Sequence, residues 1–210
     1  MAFFGGKKEK EVAKEQVNSN IGSATIITKG SKIEGNLIGN DTVHVDGELV
    51  GNIVVNNVVV VGKSGVVRGN IKAKQIICNG NIEGALECKA LEVMQQANLS
   101  NKVVSDTVII DGNFNGEMVA SKILVDTHGV VKNKLQAKEI VIKGSFEGDL
   151  SCELLTTKVT GKIKGNMFVK NILNEGGLVE GSIGQFKDIF VKEIENKEEN
   201  VEDVEIEEKK

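Results

Sequence analysis

The sequence predicts an all-β fold, a single parallel β-solenoid of about ten coils of 15–18 residues with disordered N- and C-terminal arms. Three observations point there. The phrase VHVDGELVGNI at residues 43–53 returns as VIIDGNFNGEM at 108–118, with Asp-Gly and the later Gly in register. An apolar-x-Gly-x-apolar signature recurs at a narrow period through the middle of the chain, and a fixed period marks a repeat architecture. The composition, with 24 Gly and no Pro, suits turns made by Gly and Asn while nearly every N–H serves a hydrogen-bond ladder.

Residues 1–20 form an N-terminal arm in which Phe3 and Phe4 stand beside Lys7, Lys8 and Lys10. Aromatics next to a basic cluster make a weak two-part membrane contact, each basic residue contributing about 1 kcal/mol near an anionic surface. A solvated arm is the plainer alternative. No run of about 18 apolar residues is present, and the apolar part of the start is too short for a secretory signal, so the expected location is the cytoplasm.

The β-helix is expected over 21–191. The central residue of its signature is Gly35, Gly51, Gly69, Gly84, Asn101, Gly116, Asn133, Gly148, Gly165 and Gly181, with spacings of 16, 18, 15, 17, 15, 17, 15, 17 and 16. Gly eight times and Asn twice, never Ala or Ser, is the signature of a corner at positive φ, because a demand for smallness alone would admit Ala. Apolar residues two positions to either side, such as Leu49 and Ile53, then point into one interior. Between corners a second alternation appears at Val43 and Val45, Leu91 and Val93, Val108 and Ile110, Ile123 and Val125, and Ile140 and Ile142. About 16 residues per coil leaves room for three short strands but none for a helix. With coils stacked about 4.8 Å apart, nine intervals make a rod roughly 43 Å long.

A longer repeat is superimposed. GNIKAKQIICNGNIEGALECKAL from Gly69 matches NKLQAKEIVIKGSFEGDLSCELL from Asn133, so a four-coil block is duplicated over about 43–97 and 108–161. Cys88 falls on Cys152 in this alignment. The three cysteines, with Cys78, show no C-x-x-C spacing and read as buried free thiols.

Residues 192–210 form an acidic, disordered tail of net charge −5, and the first sixteen residues carry +1. Residues 17–191 therefore hold 18 bases and 18 acids, with a single arginine, Arg68. That balance, with only 3% aromatic residues, argues against a nucleic-acid partner. Just before the tail, Phe186, Ile189 and Phe190 either cap the last coil or meet another subunit.

Catalytic, cofactor and metal sites are not expected. His44 lies between the inward Val43 and Val45 and so points outward; His128 sits in the bend DTHG; Asp46 and Asp111 precede Gly as turn residues. The hexapeptide period of β-helix acyltransferases is missing, and no phosphate-binding Gly loop stands out. A β-helix binding module that does not polymerise remains the alternative to a scaffold, followed by a β-helix acyltransferase or carbohydrate-active enzyme.

The stretch ATIITKGSKIEGNLIGNDTVHVDGELVGNIVVNNVVVVGKSGVVRGNIKAK, residues 24–74, resembles the bactofilin domain of the polymer-forming bacterial cytoskeletal family, through IEGN, VDGxxxGNI and GxxxGNIKAK together. The resemblance is specific from 24 to about 93 and looser to about 183; LSNKV and VKNKL lack the central Gly. It implies a right-handed, roughly triangular β-helix that assembles end to end into nucleotide-independent filaments, often at the membrane. It further implies that Phe186, Ile189 and Phe190 serve assembly and that the N-terminal arm contacts the inner face of the cell membrane. The implied partners are copies of the chain itself, the membrane and unidentified protein clients.

Overall fold

In a computed structural model the described residues are 24–186, and they form eighteen β-strands with no helix among them. All pairings between the strands are parallel, each between one coil and the next. The coil has three faces. The first is formed by β2 (Lys32–Glu34), β5 (Glu48–Val50) and β8 (Val66–Arg68), and the second by β3 (Leu37–Gly39), β6 (Ile53–Val55) and β9 (Ile71–Lys72). The third is formed by β1 (Ala24–Ile27), β4 (Thr42–Val45), β7 (Val58–Val61) and β10 (Gln75–Cys78).

From Asn98 onward the three short strands expected per coil run together into single strands of 13 residues, such as β13 (Asn98–Ile110) and β14 (Asn113–Val125). The early corners explain the difference. There an Asn follows the central Gly, and its side chain takes a backbone N–H from the coil above: Asn52 N–H donates to Asn36 Oδ1 at 3.0 Å, Asn70 N–H to Asn52 Oδ1 at 2.9 Å and Ala85 N–H to Asn70 Oδ1 at 3.0 Å. These bonds replace a rung of the backbone ladder. Where Lys102 or Glu117 follows the corner, strand pairing passes through it.

The interior is a column of aliphatic side chains. Leu49, Ile53, Val67, Phe114, Met118, Leu135 and Leu150 from the first signature are buried, as are Val43, Val45, Ile140 and Ile142 from the second. Small residues fill the vertex between the second and third faces, where Ala73, Cys88, Ser105, Ala120, Ala137 and Cys152 are buried. Their register runs Cys88 to Ser105 to Ala120 to Ala137 to Cys152. Each Val, Leu, Ile, Phe or Met side chain buried in the columns contributes on the order of 1.5–3 kcal/mol.

The vertex between the third and first faces alternates in length. Four-residue turns close with a backbone bond at Thr28–Ser31, Gly62–Gly65, Met94–Ala97, Asp126–Gly129 and Lys158–Gly161. Shorter bends at Asp46–Gly47, Asn79–Gly80, Asp111–Gly112 and Lys143–Gly144 lie between them. This alternation is the source of the alternating 15- and 17-residue spacings, so the structural unit is a pair of coils.

Candidate functional site

Ordered from one end to the other, the interior columns are closed everywhere except at the two ends of the rod. Ile33 is 38% exposed whereas Leu49 above it is 0%, and Leu37 is half-buried over a fully buried Ile53. At the other end Ile183 is 62% exposed whereas Met167 beneath it is 1%, and Val179 is half-buried. Strand edges are open there too. Among the described residues β1, β2 and β3 pair on one side only, as does β18 (Leu178–Gln185), which rests on β17 (Lys162–Asn174). Unpaired parallel edges with aliphatic residues facing out are templates for another chain.

Each end has its own chemistry. On the first strand edge Lys32 and Glu34 pair at 2.6 Å, and this mutual hydrogen bond raises the lysine pKa and lowers that of the glutamate. The last coil is more apolar, with Phe168, Ile172, Leu173, Leu178 and Ile183 all exposed. Phe186 follows β18 and is half-buried. Ile189 and Phe190, like Phe3, Phe4, Lys7, Lys8 and Lys10, lie outside the described residues.

Positive φ occurs at eight of the ten central positions: Gly35, Gly51, Gly69, Asn101, Asn133, Gly148, Gly165 and Gly181. Gly84 and Gly116 differ, because their φ lies outside that region. What holds Gly there is space: a Cβ on Gly84 would overlap the Gly69 carbonyl, and one on Gly116 the carbonyl of Asn101.

The two histidines sit in separate pairs. His44, half-buried on the third face, places Nε2 3.1 Å from Asp46 Oδ2, and His128 Nδ1 lies 3.1 Å from Asp111 Oδ1 one coil below. His128 N–H also donates to Asp111 Oδ1 at 3.1 Å, so this carboxylate joins two bends. Burial pushes the Cys78 and Cys152 thiols up to about 12, which leaves them protonated and poor nucleophiles. Among the described residues no group of three or more His, Cys, Asp or Glu is placed to hold a metal ion. A shallow groove along the first face is lined by the amides of Asn81, Asn98 and Asn113, with one acid, Glu83, and one base, Lys132. It lacks the two facing carboxylates that glycoside hydrolysis requires. No helix among the described residues is long and apolar enough to cross a membrane.

Fold and ends together define a β-solenoid rod whose terminal strands, among the described residues, pair on one side only. The family model for bactofilin, described as polymer-forming cytoskeletal, matches residues 25–111 and again 102–184, and the chain belongs to that family. The two matches overlap at residues 102–111, just past the fifth corner at Asn101, so the family's module occurs twice in one uninterrupted rod. Neither a curated protein nor a solved structure matches the chain.

Proposed function

We propose that this bactofilin is a non-enzymatic scaffold whose rods join end to end into filaments without nucleotide, at the inner face of the cell membrane, where they position cell-envelope or morphogenesis factors. The observation that carries the reading is the open interior column at each end: Ile33 and Leu37 at one, Val179 and Ile183 at the other. Burying these side chains against another subunit continues both the aliphatic core and the ladder, and completes a burial that contributes about 1.5–3 kcal/mol for each side chain taken from full exposure. A protein partner that adds a strand to the same edges uses the same chemistry, which is how clients are held.

The membrane part rests on the sequence of the N-terminal arm. A single arm with two aromatics and three nearby lysines binds weakly, and a filament multiplies the contact. Electron microscopy of the purified full chain without nucleotide tests the scaffold: filaments several rods long are expected, and monodisperse single rods at high concentration would overturn it.

A further inference from the structure

The third face carries an aliphatic ladder on its outside as well as its inside. Its outward rungs begin at Ile26, which pairs in register with His44, then Val60 and then Ile77. The ladder passes Glu92 and continues through Ile109, Leu124 and Val141 to Thr156 and Leu173. Seven of its ten rungs are aliphatic. Ile26, Ile109 and Leu173 are 62%, 39% and 51% exposed, and Val60, Ile77, Leu124 and Val141 are half-buried against one another. An apolar stripe along the length of a rod, interrupted only at His44, Glu92 and Thr156, exceeds the scattered exposed residues expected of a solvated surface.

We propose that this face pairs side by side with the same face of a second copy of this chain, the two rods running antiparallel. The order of the rungs selects that partner and that direction. Polar rungs fall second from each end, at His44 and Thr156. When the rods are related by a two-fold axis across their middle, the His44 and Thr156 rungs fall at the same level, with Thr156 itself buried, Val60 meets Val141, Ile77 meets Leu124 and Glu92 lies over Ile109. A parallel pairing would set Glu92 on Glu92, which repel. The interface has sufficient size: a face roughly 45 Å by 15 Å buries about 1,300 Å² over both partners, within the range of about 1,200–2,000 Å² for stable interfaces. An isologous contact of this kind closes on itself and leaves both rod ends free. A membrane surface fits less well, because the charged residues of this face, Glu92 and the Lys122–Glu139 ion pair at 3.1 Å, give no basic excess, and the stripe has no aromatic residue.

Single-cysteine additions test the pairing in the full chain. Val60→Cys and Val141→Cys occupy rungs about 24 Å apart on one rod, and also across an end-to-end junction, yet face each other in the antiparallel pair. Mixing the two variants under mild oxidation is expected to give a cross-linked dimer in far higher yield than either alone; like-with-like cross-links, or none, overturn the proposal. The native thiols are buried and do not compete. Ile77→Lys with Leu124→Lys, both outward and set against each other in the antiparallel pair, is expected to halve the width of assemblies in micrographs at an unchanged melting temperature. Unchanged width overturns the proposal, as does loss of binding to phosphatidylcholine vesicles at unchanged width, which would make the stripe a membrane face. The cross-link also reads out in a chain that forms no filaments, so its failure is distinguishable from failure of end-to-end assembly.

Discussion

The carbonyl of Gly35 occupies the space that a side chain on Gly51 would need, and Gly51 itself sits at φ +146°. Two constraints therefore coincide at one corner, a backbone conformation that L residues rarely adopt and a backbone atom where Cβ would be.

Gly51→Val is accordingly expected to lower stability by on the order of 3 kcal/mol, with Gly51→Asn intermediate, since Asn101 and Asn133 turn the same corner at φ 90° and 86°. Gly39→Ala is the control: its φ lies outside the positive region and a Cβ there meets open space. Denaturant midpoints should fall in the order Gly39→Ala, Gly51→Asn, Gly51→Val. Equal midpoints for the last two would remove the conformational account of the corner.

Thr157 breaks an aliphatic column. It lies between Ile142 and Asn174, is fully buried, and its Oγ1 has no hydrogen-bond partner. A buried hydroxyl without a partner costs about 1–3 kcal/mol, and valine has nearly the same shape. Thr157→Val should therefore raise stability by about 1 kcal/mol, read as a higher denaturant midpoint with an unchanged slope. A lower midpoint would mean that the hydroxyl is satisfied.

The buried thiols carry a pH signature. Burial raises Cys78 and Cys152 from the ordinary 9.0 to about 12, so between those values the unfolded chain releases protons that the folded chain retains. Stability unaffected below pH 9 is thus lost progressively as pH rises toward 12, at about 1.4 kcal/mol per pH unit for each thiol. A variant with Cys78→Val and Cys152→Ala should melt at a temperature that falls less steeply from pH 9 to 11 than that of the unaltered chain. Parallel slopes would show that the thiols do not contribute.

Corners and core were legible in the sequence because each rests on a restriction that residue type reports directly. Only Gly and Asn turn at positive φ, and inward positions such as Leu49 and Ile53 must be apolar. Gly84 and Gly116 mark the limit: positive φ and a carbonyl in the place of Cβ both demand Gly, and sequence does not separate them. The alternating 15 and 17 spacings held the alternation of turn lengths, but a mean period hides it. The outward ladder was visible only as His44 and its counterpart Ile109. Its fuller signal is the runs VVVV, QIIC and EIVI, which are apolar at both alternations and so read as strands covered on both faces.

The N-terminal arm supplies the fourth prediction. It precedes β1, so deleting Ala2 to Lys10 should abolish flotation with vesicles that contain anionic lipid while filament length stays the same. Raising the salt concentration should weaken flotation of the full chain in the same direction, because lysine attraction to the surface is screened. Undiminished flotation of the truncated chain would assign membrane contact to another surface.

At the open end of the rod β18 pairs, among the described residues, on one side only and leaves Ile183 uncovered. Ile183 continues the column of Leu135, Leu150 and Met167 but is 62% exposed, so a charge there meets water in a single rod and becomes buried only at a junction. Ile183→Lys should therefore leave the melting temperature nearly unchanged and yield short soluble species, since an unpaired buried charge costs several kcal/mol per contact. Leu150→Lys, in the same column but fully buried, should unfold the rod instead. Phe186→Arg and Phe190→Arg locate the boundary of the junction: shortened filaments at an unchanged melting temperature place the aromatics in it, whereas a lowered melting temperature at unchanged length makes them a cap on their own coil. Sedimentation velocity and melting curves on the four variants distinguish these outcomes, and full-length filaments from Ile183→Lys would exclude this end as the assembly surface.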